Sequence, residues 1–179
     1  MSKLRPPVGT ADQSAGNITA AVTLVEFGDY ECPHCRHAHP LIKRLLKNKS
    51  DSFHFVFRNF PLQEIHPNAH LSALAAEAAG KQGKFWEMHD LIYDNQERLN
   101  GHFLLDLAKE LDLDLHLFGS DWKSTAISNK VENDFESGVR SGVNGTPTFF
   151  INGNPLMTYD GSYESLVDAL VLEAEMNGR

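Results

Sequence analysis

The alternation of apolar and polar positions divides the chain into strand-like runs at both ends and a long helical block between them. Ala21 to Phe27 reads A-V-T-L-V-E-F, a β-branched apolar run of strand length closed by Gly28-Asp29. Pro33 suits the first turn of a helix, and Leu41, Ile42, Leu45 and Leu46 continue a helical apolar face to about Lys47. Phe53 to Phe57 reads as a second buried strand. After Arg58-Asn59-Phe60-Pro61-Leu62 the apolar period lengthens from two to about 3.6 and stays helical for about eighty residues. Within that block Pro67 opens an Ala-rich helix ended by Gly80, and Lys84 to Asp94 carries Phe85, Met88, His89 and Ile92 on one side. Phe103 to Leu111 is a further helix and Leu115 to Phe118 a short turn. Asp121 to Ser141 places Ile127, Val131, Phe135 and Val139 on one stripe, with Gly142 as C-cap. The period returns to two at Thr148-Phe149-Phe150-Ile151; Asn152-Gly153 signals a hairpin into Leu156 to Tyr159. Ser162 caps a last helix to about Glu175, with Leu166, Leu170 and Val171 turned inward. The order predicts an α/β sandwich with a helical insertion.

Composition narrows the classes of function. A chain of 179 residues is one domain with a sizeable insertion. A net charge of −8 argues against nucleic acid as a partner, because phosphate recognition needs clustered Lys and Arg. No apolar run reaches the roughly 18 residues of a membrane span. Residues 1–17, with Pro6, Pro7, Gly9 and Gly16, read as a flexible polar arm preceding a domain over 18–179. The arm has charges but no apolar signal region, so the expected address is the cytoplasm; a processed chain would read the same and belong in the periplasm.

The chemistry concentrates in the only two cysteines, in Cys32-Pro33-His34-Cys35. A C-x-x-C where a strand passes into a helix is the geometry of a redox dithiol. Cys32 falls at the helix N-cap, where orphan N–H groups and the macrodipole favour a thiolate, which makes it the attacking nucleophile. Cys35, one turn inside, is shielded and suits a resolving thiol. Protonated His34 adds positive charge beside the thiolate and leans the pair towards oxidising. The alternative is zinc on Cys32, Cys35, His37 and His39, but residues two apart on a helix face different ways, and a second ligand pair normally lies across a loop; no metal is expected. A second signature, Gly142-Val143-Asn144-Gly145-Thr146-Pro147-Thr148-Phe149, puts a proline directly before an apolar strand and makes Thr146-Pro147 a candidate cis peptide.

With both signatures in view, the chain resembles the thioredoxin superfamily, and within it the DsbA-like branch that carries a helical insertion. The match runs from about Asn17 onward. It rests on Val25-Glu26-Phe27, Cys32-Pro33-His34-Cys35 and Gly145-Thr146-Pro147-Thr148, with Arg58 to Leu62 and Gln82-Gly83-Lys84-Phe85-Trp86 also of this type. The resemblance implies a thioredoxin-like fold with an inserted helical subdomain over approximately 63–141. It implies that Thr146-Pro147 is cis, packs on the dithiol and offers backbone to an extended substrate. It implies that Glu26 is a buried acid beneath the site and a proton acceptor for Cys35; otherwise Glu26 is a strand residue whose carboxylate reaches solvent. The chain departs from DsbA-type oxidants at His39, where they carry an acid, and at Thr146, where valine is common; a Thr146 hydroxyl near Cys32 would hydrogen-bond the thiolate.

Among other residues, His66 and His70 read as surface or capping histidines, and His89 and Trp86 as packing. Asp29, Tyr30 and Glu31 flank Cys32, and the acids would raise its pKa against the helix dipole. The function expected is a thiol–disulfide oxidoreductase working on protein or peptide substrates, recycled by a redox partner or the glutathione pool, with no cofactor. The alternatives are a redox-sensing or chaperone-like binding module and a glutathione-using, isomerase-like relative on the same fold.

Overall fold

The computed structural model describes residues 2–177, the side chain of Asn177 excepted. Met1 of the expected arm and Gly178 and Arg179 at the expected domain end lie outside the described residues. Five strands, β1 (Gln13–Gly16), β2 (Thr23–Gly28), β3 (His54–Asn59), β4 (Thr148–Ile151) and β5 (Asn154–Pro155), form one sheet in the order β1-β3-β2-β4-β5. The helices are α1 (Pro33–Lys49), α2 (Ala69–Gly80), α3 (Phe85–Asp94), α4 (Gly101–Glu110), α5 (Leu115–Trp122), α6 (Thr125–Arg140) and α7 (Tyr163–Asn177). This is the mixed α/β, thioredoxin-like fold expected from the sequence, with α2 to α6 inserted between β3 and β4.

The sheet's register positions the site. β2 runs parallel to β3 and antiparallel to β4, so it is covered on both faces and reads as a continuous apolar run. Side chains alternate across a strand. Leu24 of β2 joins Phe55 and Phe57 of β3 and Phe149 of β4 in the core shared with α1, α2 and α3, while Val25 and Phe27 join Val56, Phe60 and Phe150 in the opposite core. Glu26 therefore shares the face of Leu24, the face that α1 covers. Gly28 follows on that face, where a Cβ would overlap the Phe57 ring. The inserted helices start on polar caps: Asn100 Oδ1 accepts from the N–H groups of His102 and Phe103, Asp114 Oδ1 from His116 and Leu117, and Ser124 Oγ from Ile127. Six alanines of α2 are buried and let it lie close to its neighbours.

Several expectations are corrected. The amino-terminal arm is folded onto the body: residues 13–16 form an edge strand antiparallel to β3, and Leu4 is buried in the second core. The buried Arg58 holds this segment, with Nε and Nη2 on the two Asp12 carboxylate oxygens at 2.8 and 2.9 Å, Nη1 on Pro6 O and Nη2 on Pro7 O. Leu115 to Phe118 is not a turn but the start of α5, which Asp114 caps and whose Phe118 is buried. No strand forms over 156–159: Pro155 has no N–H to extend the ladder, which ends with Leu156 N donating to Phe149 O at 2.9 Å. Val139 and Val171 are exposed, at 55% and 45%. Steps of four residues turn a helix about 40° past each full turn, so by Val139 the stripe begun at Ile127 has drifted about 120°. The buried line of α6 instead runs Ile127, Val131, Asp134, Gly138. Val171, five residues after Leu166, is turned about 140° from it.

Candidate active site

Cys32 is the N-cap of α1 (φ −71°, ψ 122°) and Pro33 opens the first turn, where its missing N–H costs nothing. The thiol lies 3.2 Å from the carbonyl oxygen of Thr146, across a Thr146-Pro147 peptide bond that is cis. Its pKa is lowered from 9.0 to about 5, first by a hydrogen bond from the Cys35 thiol, then by the side-chain hydroxyl of Thr146 and by the backbone N–H groups of Cys35 and His34, against the burial that would raise it. The Thr146 hydroxyl is buried without a hydrogen-bond partner, free to donate to a thiolate. The imidazole of His34 is exposed, and the backbone N–H of residue 34 is among the groups that lower the pKa of the thiol.

Cys35 is inaccessible and takes the opposite shift. Burial first, then its bond to Cys32 and the charges of Glu26 and Cys32, push its thiol well above the usual value, while Asp29 N–H points at its sulfur from 3.5 Å. Glu26 is buried, its carboxyl pushed up to about 8 by desolvation and then by Cys32. Two thiols and one carboxyl thus sit on one face with pKa values driven apart, an arrangement suited to proton exchange beneath a nucleophile.

The loop carrying Cys32 is clamped by the segments that lead into and connect the inserted helices, which the sequence did not reveal. Asp29 is buried and accepts from Glu31 N at 2.8 Å, Leu62 N at 2.7 Å and His66 Nδ1 at 2.9 Å. Its carboxylate is thus engaged in bracing the loop, and His66 is its hydrogen-bond partner, not a surface histidine. Glu31 accepts from the backbone and side-chain amides of Asn68. Gln96 Nε2 donates to Tyr30 O at 2.9 Å and Cys32 O at 3.0 Å. A cleft of about 350 Å³ beside the dithiol is lined by His34, His37, Thr146, Pro147, Tyr159 and Asp160, with Gly161. Tyr159 packs edge-on against Phe149, and burial followed by the nearby Glu26 and Cys35 raises its hydroxyl to about 12. Of the four groups weighed for zinc, His37 turns to Gly161 O at 2.9 Å while His39 is buried against Tyr93 and His89 on the far side of α1.

The family model that matches the chain is described as thioredoxin and covers residues 10–170. Among curated proteins the chain is similar to the Na(+)/H(+) antiporter NhaA 1 of Salinispora arenicola, 43% identical over 152 residues, which take in 85% of this chain and 23% of that protein. The chain thus spans about a quarter of the length of the curated relatives it matches. Among solved structures it is similar to oxidised BdbD from Bacillus subtilis, with a TM-score of 0.81, 24% identity and 97% of each chain covered. It is also similar to a thioredoxin-like oxidoreductase from Silicibacter pomeroyi, with a TM-score of 0.78, 25% identity and 94% of each chain covered. Among the described residues no helix is long and apolar enough to cross a membrane.

Proposed function

The chain belongs to the thioredoxin family, and from that premise and the geometry of its dithiol we propose that it is a thiol–disulfide oxidoreductase that exchanges disulfides with protein or peptide thiols through Cys32 and Cys35. The observation that carries the reading is the split between the two sulfurs, Cys32 drawn down to about 5 and the inaccessible Cys35 driven up. An exchange catalyst needs one thiol that attacks and leaves easily, and a second that is protected until its turn.

In the oxidising direction a substrate thiolate attacks Sγ of Cys32 in the Cys32–Cys35 disulfide. The S–S bond breaks, Cys35 departs with the electron pair, and a mixed disulfide joins substrate to Cys32. The departing Cys35 sulfur is strongly basic and needs a proton; Glu26, neutral at pH 7 with its pKa of about 8, is the donor on the same face. A second substrate thiolate then attacks the substrate sulfur of the mixed disulfide and expels Cys32 as a stabilised thiolate. Two electrons have entered the protein, the Glu26 proton now sits on Cys35 and is replaced on Glu26 from solvent, and the substrate has gained a disulfide. The reverse sequence begins with Cys32 attacking a substrate disulfide. Because the pKa of Cys32 stabilises the reduced protein, the balance favours oxidation of substrates. Such an oxidant is kept oxidised only beyond the reach of glutathione and thioredoxin, which weighs against the cytoplasmic address.

The cleft beside Cys32 and the backbone at Thr146 are the substrate side of the site. Strand-like pairing of an extended peptide with residue 146 would bring its sulfur to Cys32. The test is turnover: catalytic amounts of the protein should accelerate disulfide formation in a reduced two-cysteine peptide, with a low-molecular-weight disulfide as terminal oxidant. Cys32→Ser should abolish the acceleration. Stoichiometric exchange without turnover would point to a redox sensor instead.

A further inference from the structure

On the side of α1 away from the cleft, α1 and α3 bring together three side chains that the redox chemistry does not use. We propose that His39, His89 and Asp90 form a binding site for a divalent cation of the zinc class, which would tie α1 to α3 behind the dithiol loop.

One ring nitrogen from each histidine and one carboxylate oxygen of Asp90 all lie within 4.8 Å of one another. His39 Nε2 is 3.3 Å from Asp90 Oδ1, yet it makes no hydrogen bond, and the residue is only 6% exposed. That buried nitrogen makes no hydrogen bond and has only the Asp90 carboxylate near it, so its polar capacity is open to a further group. The 3.3 Å separation has a direct meaning in metal geometry: ligand bonds of about 2.0–2.1 Å at tetrahedral angles place neighbouring ligand atoms about 3.3 Å apart. The two imidazoles meet edge to face with centroids 5.2 Å apart, so both can turn nitrogens to one point without stacking on each other. Tyr30 supports the site from behind, its hydroxyl 2.9 Å from His89 Nδ1, the kind of outer partner that fixes a ligating ring.

Access and ligand chemistry also fit. A cavity of about 420 Å³ lined by Arg36, His39, Pro40, Lys43, Tyr93 and Asp94 opens at His39 and offers an entry path and room for a water as fourth ligand. Two imidazoles and one carboxylate suit zinc, cobalt, nickel or copper and leave too few oxygens for calcium or magnesium. The Lys43 ammonium pairs with Asp90 Oδ2 at 2.8 Å, so an incoming metal ion would take the other carboxylate oxygen, Oδ1, against the repulsion of that lysine.

The experiment uses the full chain with Cys32 and Cys35 joined as a disulfide, so that no thiolate can hold metal. Zinc chloride is titrated by calorimetry, and cobalt(II) is added in parallel to read its visible absorption. One saturable equivalent of zinc and a tetrahedral cobalt spectrum are expected. Affinity should fall by more than about tenfold in His39→Phe, which keeps a ring on Tyr93, and in Asp90→Asn, at a half-exposed position that tolerates the change. No saturable uptake by the oxidised protein overturns the proposal, as does uptake unchanged in both variants. Uptake confined to the reduced protein and lost in Cys32→Ser assigns the metal to the dithiol and overturns it equally.

Discussion

Replacing Cys35 by alanine removes the largest single contribution to the low pKa of Cys32, and the size of the effect can be worked from the site. The Cys35 thiol donates to the Cys32 sulfur, and Thr146 and the backbone N–H groups of residues 34 and 35 supply the rest against the cost of burial. A hydrogen bond to a charged acceptor contributes about 1.5–3 kcal/mol, and one pKa unit corresponds to about 1.4 kcal/mol. Loss of the donor should therefore raise Cys32 from about 5 by roughly one to two units, to about 6–7, with water in the vacated space holding the shift to the lower part of that range. The assay is the rate of iodoacetamide alkylation against pH; the variant has one thiol, and in the wild type Cys35 is inaccessible and silent in this range. A midpoint that stays near 5 in the variant would show that the α1 amino terminus alone holds the thiolate. A wild-type midpoint near 9 would remove the argument for an activated nucleophile. The same shift sets the redox balance. A depressed folded pKa stabilises the reduced protein at neutral and higher pH, and that stabilisation is lost as pH falls through about 5. At pH 7 two units separate pH from pKa, about 2.7 kcal/mol at most, or up to about 60 mV towards oxidant.

Glu26→Gln should change the pH dependence of stability: with the folded pKa raised from 4.5 to about 8, the reduced wild type loses stability as pH rises between those values, and the variant should not. The difference between pH 5 and pH 9, read from urea unfolding, should be on the order of 4 kcal/mol, and parallel curves for the two proteins would refute a buried neutral Glu26. Gln96→Ala frees the carbonyls of Tyr30 and Cys32; a loss of about 1–3 kcal/mol in thermal unfolding and faster exchange of amide hydrogens over residues 29–32 should follow, and an unchanged loop would rule out the clamp. Arg58→Met leaves Asp12 buried without its partner, so about 3–5 kcal/mol should be lost and β1 released to proteolysis before the rest of the sheet; cleavage that begins elsewhere would contradict this anchor.

What the sequence made legible was local or periodic. The dithiol is contiguous, and its place at a strand-to-helix junction fixes which sulfur caps the helix. The place of Glu26 beneath the dithiol came from the family resemblance; the strand pattern alone left its carboxylate free to reach solvent. The unread features depend on distant partners. β1 is Gln-Ser-Ala-Gly, without an apolar pattern, and forms because β3 offers a ladder and Arg58 grips Asp12. Gln96 sits 64 residues from the carbonyl of Cys32 that it holds, and a lone glutamine in a helical block carries no signal of that contact. His66 read as a surface group because its partner, Asp29, lies 37 residues earlier. At residue 34 motif chemistry drew attention to the ring, while the Cys35 thiol and the backbone N–H groups of residues 34 and 35, which lower the Cys32 pKa, leave no mark in the residue pattern.

The most direct test of the central claim is capture of the covalent intermediate. Cys35→Ala protein, incubated with a peptide carrying one disulfide and quenched with acid, should yield a mixed disulfide that peptide mapping by mass spectrometry places on Cys32, and Cys32→Ala should yield none because Cys35 is inaccessible. An adduct that forms equally well on Cys35, or no adduct at Cys32 under conditions where a free cysteine peptide exchanges readily, would contradict the assignment of Cys32 as nucleophile and Cys35 as resolving thiol.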